Sequence, residues 1–524
     1  MSRPFVASLF AVSLLPFAPP LQAAGALTYC VDSSPEGFDI AQYETSGSFD
    51  AAGTPLYDQL VELAPGTSRL VPGVAASWQI STDGLQYTFK LRPGVAFHAT
   101  AWFKPTRPLN ADDVLFSFQR MADKQHWAHG AARNGFVYWE GMSMSTIVKS
   151  VEKLDPMTVR FTLARPEAPF LSDLAIASVG SIFSAEYAEQ LRAGGKLEQL
   201  NTQPVGSGPF VFKSYQKDSV VRYAAHAGYW GGTPQVDPLL LAITRDPDVR
   251  AQRLKAGECQ VAEIKNESRP LFDGDTRLGL VVHKPLRTAY LAPNNQRAPM
   301  SDKRFREALW LALDKAALIR AVYGGRAAPA ASFLPAEMWG MDKTLADRRD
   351  PERARQLVKA SGYDGHELTL FIVSSSDSRR GAEAMQADWA AVGVKVKLVA
   401  LDLGEVYKRT GQGEHDITFL SWYSDNADPD NFLTPNLSCA AVAGGGNKAR
   451  WCHAEFDQTI EAAARTNDMA KRQALYLKAQ RIVYDEVPVI PLAYPATTTV
   501  VDKRVQGFLP SPMNLHDFRA TSVK

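Results

Sequence analysis

Residues 416–432 read DITFLSWYSDNADPDNF and join a short apolar run to a polar, aspartate-rich turn. The run 416–422 predicts a buried strand, because its apolar and β-branched residues favour a pleated backbone. Upstream, the sequence predicts strand Leu368–Val373, a helix over 380–392 and a strand over 394–401. With the second helical piece that follows, these segments form a βαβαβ pattern, which is typical of a parallel sheet.

The aromatic and acidic residues at the end of this pattern predict a binding site. Ligands of open parallel sheets lie just beyond the carboxyl ends of the strands. Trp422, Tyr423 and Asp425 occupy that place. An alternative is that Asp425, Asp428 and Asp430 only cap turns or bind calcium, but neither the glycine nor the distal glutamate of a calcium loop stands in its position.

Length and charge limit the classes of function. The chain has 524 residues, of which 45% are hydrophobic, so we expect more than one domain. Its formal net charge is +1. A protein that binds nucleic acid through the phosphates needs a surplus of basic residues, which this composition lacks. We therefore expect small molecules or proteins as partners, and no nucleic acid.

The N-terminus has the parts of a secretory signal. Arg3 supplies an early positive charge, residues 5–17 are mostly apolar, and residues 21–24 end in small side chains. A membrane anchor is the alternative, but the apolar run is too short to span a bilayer and contains a proline. We expect a cleaved signal peptide over 1–24 and a soluble protein exported to the periplasm.

The four cysteines are Cys30, Cys259, Cys439 and Cys452. In an oxidising compartment they are expected to form two disulfides, for which sequence alone allows three pairings. Zinc ligation is the alternative, but no CxxC motif and no clustered histidine accompany them. We therefore predict disulfides and no metal site.

A hairpin and a capped helix are predicted in the first third of the chain. Apolar residues with period two in 74–78 and 87–94 flank a turn at Asp83 and Gly84. Asn110 then caps a helix whose first turn is acidic. These residues belong to a longer succession of motifs.

In their order, the motifs resemble family 5 of the extracytoplasmic solute-binding proteins of ABC importers, which includes peptide and nickel receptors. The resemblance covers almost the whole mature chain and rests on VPGVAASW from Val71, STDGLQYTFKLRPGV from Ser81, LNADDVLFSFQR from Leu109, RPEAPFLSDLA from Arg165, PVGSGPF from Pro204 and GYWGG from Gly228. Similarity to the dipeptide-binding members is carried by YCVDSSPEGF from Tyr29, TSG from Thr45 and GECQV from Gly257. The segment TAWFKPTRPLNADDV from Thr100 is similar to receptors of antimicrobial peptides.

The resemblance implies an α/β fold of two lobes that close on a ligand between them. This is the two-lobed periplasmic binding protein fold, or Venus flytrap, of the large cluster C type, with mixed sheets. Lobe I would comprise 25–284 and 496–524, with an inserted subdomain over about 57–190, and lobe II would comprise 285–495. The chain would then cross between the lobes near Lys284 and Tyr494.

The resemblance also selects one disulfide pairing, Cys30 with Cys259 and Cys439 with Cys452. In the dipeptide-binding members a carboxylate pairs with the α-ammonium of the peptide, and the matching position here is Asp425. Between closed lobes an unpaired charge costs several kcal/mol, so such a pair would make the site specific for a free amino terminus.

Further ligand contacts follow from the same resemblance. Trp422 would supply an apolar wall, with Tyr423 beside it. Ser46 and Gly47 of lobe I would let the backbone approach the ligand closely. A plain turn is the alternative for this glycine.

The carboxylate end of the ligand is where this sequence departs from the family. The dipeptide-binding members carry an arginine in a longer loop after the strand that matches Leu368–Val373. Here that loop is shortened to 374–380 and the arginine is missing. Arg379 or Arg380 could replace it, because arginine forks suit carboxylates, or both could be solvated residues at a helix start.

The sequence leaves three classes of function open. The first is a monomeric receptor that captures di- or short oligopeptides and passes them to an inner-membrane ABC permease, with receptors of antimicrobial peptides, haem or another small ligand as alternatives. The second is an exported hydrolase, but the sequence has no GxSxG elbow and no HExxH motif. The third is a metal or haem carrier, for which no histidine cluster is found. We predict a receptor that is not an enzyme and needs no cofactor.

Overall fold

The computed structural model of the protein describes residues 25–443 and 446–524. The predicted signal peptide lies outside the described residues. The strands are β1 Gly25–Val31, β2 Val61–Leu63, β3 Leu70–Pro72, β4 Ala75–Ile80, β5 Gln86–Leu91, β6 Val148–Asp155, β7 Thr158–Leu163, β8 Phe210–Gln216, β9 Val220–Ala225, β10 Val236–Ile243, β11 Val261–Ile264, β12 Leu278–His283, β13 Arg287–Pro293, β14 Ala327–Pro329, β15 Leu368–Val373, β16 Val396–Leu401, β17 Ile417–Tyr423, β18 Ile490–Pro495, β19 Thr497–Asp502, β20 Val505–Gln506 and β21 Ser522–Val523.

The longer helices are α1 Ala111–Ala122, α2 Ala185–Ala193, α3 Pro247–Ala256, α4 Lys303–Ala312, α5 Lys315–Tyr323, α6 Pro351–Ala360, α7 Ser376–Ala391, α8 Leu403–Gly411, α9 Asp430–Leu437, α10 Ala454–Ala464 and α11 Met469–Glu486. Short α-helical segments are Ser46–Ser48, Thr54–Leu56, Val137–Gly141, Met144–Ile147, Phe170–Asp173, Ala177–Gly180 and Cys439–Ala443.

The first large sheet has seven strands in the order β12-β19-β11-β1-β10-β9-β8. β1 is parallel to β10 and to β11, and the other pairs are antiparallel. Successive side chains of β1 alternate between two cores, as the period of a strand requires. Leu27 and Tyr29 belong to the larger core, and Cys30 belongs to the smaller one. The sheet is therefore mixed and covered on both faces.

The second large sheet has six strands in the order β14-β18-β13-β17-β15-β16. β15 is parallel to both β16 and β17, with α7 and α8 in the connections, so the predicted βαβαβ unit is confirmed. The predicted helix over 380–392 begins too late. The helix starts at Ser376, because the Ser375 hydroxyl accepts a hydrogen bond from the backbone N–H of Ser378 at 3.2 Å and caps it. Most of the predicted loop 374–380 is thus helical.

The two faces of β17 contact different cores. Ile417 and Phe419 pack in the core beneath α4 to α7, whereas Leu420 packs in the core beneath α9 to α11. Because side chains alternate along a strand, Tyr423 continues the first face and Trp422 the second.

A smaller antiparallel sheet, β4-β5-β7-β6, contains the predicted hairpin. Its turn is held by Asp83, whose Oδ1 accepts the backbone N–H of Leu85 at 3.0 Å. The predicted cap is also present, since Asn110 and Asp113 form a capping box at the start of α1. The buried side chains of this sheet share one core with the first large sheet.

The chain passes twice between the two large sheets. It leaves the first sheet after His283 and enters the second at Arg287, and it returns between Pro495 and Thr497. The predicted lobe boundaries fall in these two connections. The division into two lobes that move relative to each other stays a prediction.

The structure contains the disulfides Cys30–Cys259 and Cys439–Cys452, which is the pairing that the resemblance implies. The first ties β1 to the turn before β11, its parallel neighbour. The second closes a short loop after α9, so it lies next to the segment that carries Asp425.

Candidate ligand-binding site

Asp425 lies two residues beyond β17, in the turn that leads to α9. Asn431, a buried residue of α9, holds this turn. Its Oδ1 accepts hydrogen bonds from the backbone N–H of Asp425 at 3.1 Å and from Nε1 of Trp422 at 3.4 Å. Its Nδ2 donates to Oδ2 of Asp425 at 3.1 Å. One amide side chain thus orients both the acid and the tryptophan.

Tyr138 contacts Asp425 from the opposite side. It lies on the short helix Val137–Gly141 and packs against the core of the first sheet. Burial raises the pKa of Asp425 to about 6, and the nearby charge of Glu44 adds to this rise, whereas hydrogen bonds from Tyr138 and Asn431 oppose it. The carboxylate is therefore costly to ionise in this place, and a cation beside it would offset that cost.

Glu44 brings a second acid to the same place from the first sheet's side of the molecule. Burial raises its pKa, while the charge of Lys448 opposes the rise. Burial lowers the pKa of Lys448 to about 8, and its Nζ lies 5.0 Å from the centre of the Tyr407 ring. The pKa of Tyr407 is raised to about 12, first by burial and then by the charges of Glu44 and Asp425. Two acids, Glu44 and Asp425, stand against one base, Lys448, so the local charge balance favours a positively charged ligand group.

Trp422 and Tyr423 point to different surroundings, as their alternation along β17 requires. Trp422 is partly buried against the core beneath α9 to α11. Tyr423 pairs across the sheet with Arg287 of β13, whose guanidinium carbon lies 4.8 Å from the centre of the tyrosine ring. Burial raises the pKa of Tyr423, and the arginine opposes the rise.

Arg287 was not identified from the sequence. Its Nη2 donates to Oγ of Ser421 at 3.1 Å, whereas its Nε is shielded from solvent and has no hydrogen-bond partner among the described residues. Burial acts to lower the pKa of Arg287, but nearby groups, above all Tyr423, raise it overall. The side chain is therefore a permanent cation at the same end of the sheet as Asp425.

Ser46 and Gly47 lie in the short helix Ser46–Ser48. Gly47 is buried, and a Cβ atom built there would come 2.7 Å from Oγ of Ser33 and 3.0 Å from the backbone oxygen of Ser34. Close packing of the chain against itself thus explains this glycine. Its approach to a ligand, like that of the exposed Ser46, stays a prediction.

The two arginines at the start of α7 differ in their surroundings. Arg379 is exposed. The Nη2 of Arg380 donates to Asp377 at 2.6 Å and to Glu267 at 2.8 Å, and its Nε donates to the backbone oxygen of Ala321 at 3.0 Å. The guanidinium of Arg380 is thus already engaged by two acids, which leaves it less suited to a ligand carboxylate than the sequence suggested.

Six residues of this site were not predicted from the sequence, namely Glu44, Tyr138, Arg287, Tyr407, Asn431 and Lys448. Asn431 stands in the stretch 416–432, and an asparagine at a helix start is a known signal for side-chain hydrogen bonds to nearby backbone. The others carry no local signal. The packing of the two sheets brings Glu44 and Tyr138 to Asp425, and the strand register places Arg287 opposite Tyr423.

The aspartates that follow Asp425 have structural partners. Oδ1 and Oδ2 of Asp428 each lie 3.0 Å from Nη2 of Arg472, and both side chains are buried. Asp430 accepts a hydrogen bond from the Thr434 hydroxyl at 2.6 Å. Across 25–443 and 446–524, no group of three or more acidic, histidine or cysteine side chains is arranged to hold a metal ion.

Among the helices of residues 25–443 and 446–524, none combines the length with the apolar run that crossing a bilayer requires.

Comparisons with known proteins agree in the kind of protein they find. The family model "Bacterial extracellular solute-binding proteins, family 5 Middle" matches residues 69–444. Di/tripeptide-binding protein 2 of Pseudomonas aeruginosa is 45% identical over 526 aligned residues, covering 98% of this chain and 99% of that protein.

Two solved structures are similar over almost the whole chain. The dipeptide-binding protein of Pseudoalteromonas sp. SM9913 in complex with Met-Leu has a TM-score of 0.88 and 30% identity, covering 95% of this chain and 100% of that one. The periplasmic binding protein DppA of Helicobacter pylori in complex with the peptide STSA has a TM-score of 0.89 and 33% identity, covering 95% and 98%.

Proposed function

This chain belongs to family 5 of the bacterial extracellular solute-binding proteins, and from that premise we propose that it is a periplasmic receptor of an ABC importer for di- or short oligopeptides. The similar structures hold ligands of two and four residues, Met-Leu and STSA. A receptor of this kind binds its ligand and releases it to a membrane permease, so it needs no catalytic group. We infer that this protein is not an enzyme.

The observation that carries the proposal is the surroundings of Asp425. Its carboxylate accepts hydrogen bonds from Tyr138, which packs against the core of the first sheet, and from Asn431 of α9, and burial raises its pKa. A peptide α-ammonium placed here would supply the missing positive charge and up to three hydrogen-bond donors. Because water is largely excluded, such an ion pair is stronger than at the surface.

Contacts between the predicted lobes support closure over a ligand. The Nδ2 of Asn426, beside Asp425, donates to Oδ1 of Asp173 at 2.8 Å. The backbone N–H of Ala168 donates to the backbone oxygen of Ala464 at 2.6 Å. We infer that the two connections between the sheets act as a hinge and that a peptide favours the closed arrangement through its contacts with both sides.

The family supports a location outside the cytoplasmic membrane. Its members act outside the cytoplasmic membrane, and a similar structure is named a periplasmic binding protein. We infer that residues 1–24 direct export and are removed, that the mature protein acts as a monomer, and that inner-membrane permease subunits receive the peptide from it.

Calorimetry at pH 7.5 with Met-Leu, Ser-Thr-Ser-Ala and N-acetyl-Met-Leu tests the proposal. The free peptides should bind, and N-acetylation should abolish most of the affinity, because it removes the charge that pairs with Asp425. Asp425→Asn keeps the shape but leaves the ammonium without its counter-ion, so affinity should fall by about 2 to 5 kcal/mol, or roughly 30-fold to several thousand-fold.

Asp430→Asn is the matched control, because it makes the same change in the same segment at an acid that Thr434 engages. It should alter affinity by less than about threefold, since it leaves the ion pair intact. Equal affinity for Met-Leu and N-acetyl-Met-Leu would remove the role assigned to Asp425. Failure of every free peptide to bind would contradict the peptide receptor itself.

A further inference from the structure

Arg287 is a cation whose hydrogen-bonding capacity is largely unused. A guanidinium has five N–H donors, and here one of them is used, in the hydrogen bond from Nη2 to Oγ of Ser421 at 3.1 Å. Its Nε is shielded from solvent and lacks a partner among the described residues. Arg287 is half-buried, and a charge with a shielded and unsatisfied donor is costly to a folded protein, so its presence favours an anion nearby.

The nearest acids do not supply that anion. Glu263 and Asp377 act on Arg287 only at longer range. Oε1 of Glu263 lies 3.7 Å from Nε2 of His516 and has no hydrogen-bond partner among the described residues, and Asp377 accepts a hydrogen bond from Arg380 at 2.6 Å. Within the described part of the chain, no carboxylate forms an ion pair with Arg287. A counter-ion is therefore left to a ligand.

The position of Arg287 suits one end of a short peptide. It pairs directly with Tyr423, and Asp425 follows two residues later. Because Asp425 lies in the turn after the strand, its Cα is at most about 7 Å from that of Tyr423, a distance that a dipeptide can span. One end of a short peptide can thus reach Asp425 while its other end reaches the long side chain of Arg287.

Arg287 is also within electrostatic range of the first sheet. Glu263, which lies on β11 of the first sheet, acts on both Arg287 and Tyr423. The guanidinium lies over the Tyr423 ring in a cation–π contact, with 4.8 Å between the ring centre and the guanidinium carbon. This contact orients the planar fork, and such forks bind carboxylates with two parallel hydrogen bonds.

We propose that Arg287 binds the C-terminal carboxylate of the peptide whose α-ammonium pairs with Asp425. This inference rests on the proposed function. It places the carboxylate contact on β13, in front of Tyr423, and not at the start of α7 where the sequence suggested Arg379 or Arg380.

The test compares Met-Leu with its C-terminal amide, using the native protein and Arg287→Gln at pH 7.5. The native protein should prefer the free carboxylate by at least about 30-fold, on the magnitude of a broken buried pair. Arg287→Gln should bind both forms about equally, and its affinity for the amide should stay close to that of the native protein. The preference for Met-Leu over N-acetyl-Met-Leu should remain, because Asp425 is unchanged.

Arg379→Gln is the matched control, since it makes the same change at an exposed arginine at the start of α7. It should keep the full preference for the free carboxylate. Loss of that preference in Arg379→Gln, or its survival in Arg287→Gln, would overturn the inference.

Two further outcomes keep this inference apart from the proposed function. A native protein that rejects N-acetyl-Met-Leu but binds Met-Leu and its amide equally would overturn the role of Arg287 alone. If neither Met-Leu nor its amide binds, the proposed function as a peptide receptor is contradicted.

If Arg287→Gln does not fold, Arg287→Lys is used in its place. Lysine keeps the charge but lacks the fork, so the preference should shrink without vanishing, and an undiminished preference would count against the inference.

Discussion

Asn431 and Asp425 form a reciprocal pair: Nδ2 of Asn431 donates to the aspartate Oδ2 at 3.1 Å, and its Oδ1 accepts the aspartate backbone N–H at 3.1 Å. The same Oδ1 also accepts Nε1 of Trp422 at 3.4 Å. This pair fixes the carboxylate before any ligand arrives. A preorganised group loses less entropy on binding, so the pair should contribute to affinity without touching the ligand.

Asn431→Ala should therefore weaken peptide binding while the carboxylate remains. We expect a loss of about tenfold in affinity for Met-Leu, because one hydrogen bond to the ionised carboxylate and one from the aspartate backbone N–H are lost. Asn436→Ala is the matched control on the same helix. Asn436 donates to the backbone oxygen of Phe432 at 3.0 Å and does not contact Asp425. Both variants should lower the melting temperature, but a comparable loss of affinity in Asn436→Ala would contradict the positioning role of Asn431.

Peptide affinity should depend on pH through Asp425. Burial raises the pKa of this carboxyl to about 6, with Glu44 adding to the rise and hydrogen bonds from Tyr138 and Asn431 opposing it. Only the ionised form pairs with an ammonium. About one tenth is ionised at pH 5 and nearly all at pH 7.5, so affinity should be about tenfold weaker at pH 5.

The sign of this effect can be checked in two ways. Binding stabilises the ionised carboxylate, so calorimetry near pH 6 should detect proton release when a peptide binds. Asp425→Asn cannot titrate, so its weaker affinity should be nearly flat between pH 5 and pH 7.5. A native affinity that rises as the pH falls would contradict the assignment of the ammonium to this carboxylate.

The local parts of the second sheet were predictable from the chain alone. Strand Leu368–Val373 has the predicted bounds, and β17 begins one residue later than predicted. The start of α7 was missed because the serines at 374–376 are typical of a turn. Ser375 instead caps the helix with its hydroxyl, a choice that depends on the strand before it.

The chemistry around Asp425 was only partly predictable, for a different reason. Tyr138 reaches the carboxylate from another body of the protein, and Arg287 meets Tyr423 across a strand pair that joins positions far apart in sequence. Neither residue has a motif of its own. Strand register and the packing of the sheets decide such contacts, and a single sequence does not encode them in a form that local patterns reveal.

The two disulfides should differ in their contribution to stability. The first joins residues 229 apart and the second joins residues 13 apart. In the chain-entropy model, closing the long loop stabilises the fold by about 5 kcal/mol and the short loop by about 3 kcal/mol. Paired alanine substitutions, Cys30→Ala with Cys259→Ala and Cys439→Ala with Cys452→Ala, should lower the free energy of unfolding in that order.

Denaturant unfolding of the two paired variants measures these differences. The second variant also tests whether the short loop supports the site, since Cys439 follows α9. We expect its affinity for Met-Leu to change little at a temperature where it is folded, because Asn431 and not the disulfide holds Asp425. A larger loss of stability from the short loop than from the long one would contradict the entropic order.

The ion pair between Arg380 and Glu267 should act on closure and not on ligand recognition. Nη2 of Arg380, on the side of the second sheet, lies 2.8 Å from Oε1 of Glu267, which follows β11 of the first sheet. The two side chains are 39% and 48% exposed, so water screens the pair and its contribution should stay below about 1 kcal/mol. Arg380→Gln should thus weaken peptide binding by no more than about fivefold.

This loss should be the same for Met-Leu and its C-terminal amide, because a contact that holds the closed arrangement does not sense the ligand carboxylate. It should also disappear in 1 M salt, where the screening length falls to about 3 Å. Glu267→Gln serves as the partner control, since removing either end of one pair should give the same loss and removing both should add nothing further. If Arg380→Gln weakened binding of Met-Leu far more than of the amide, Arg380 would be a carboxylate ligand after all, and the assignment of that role to Arg287 would have to be shared.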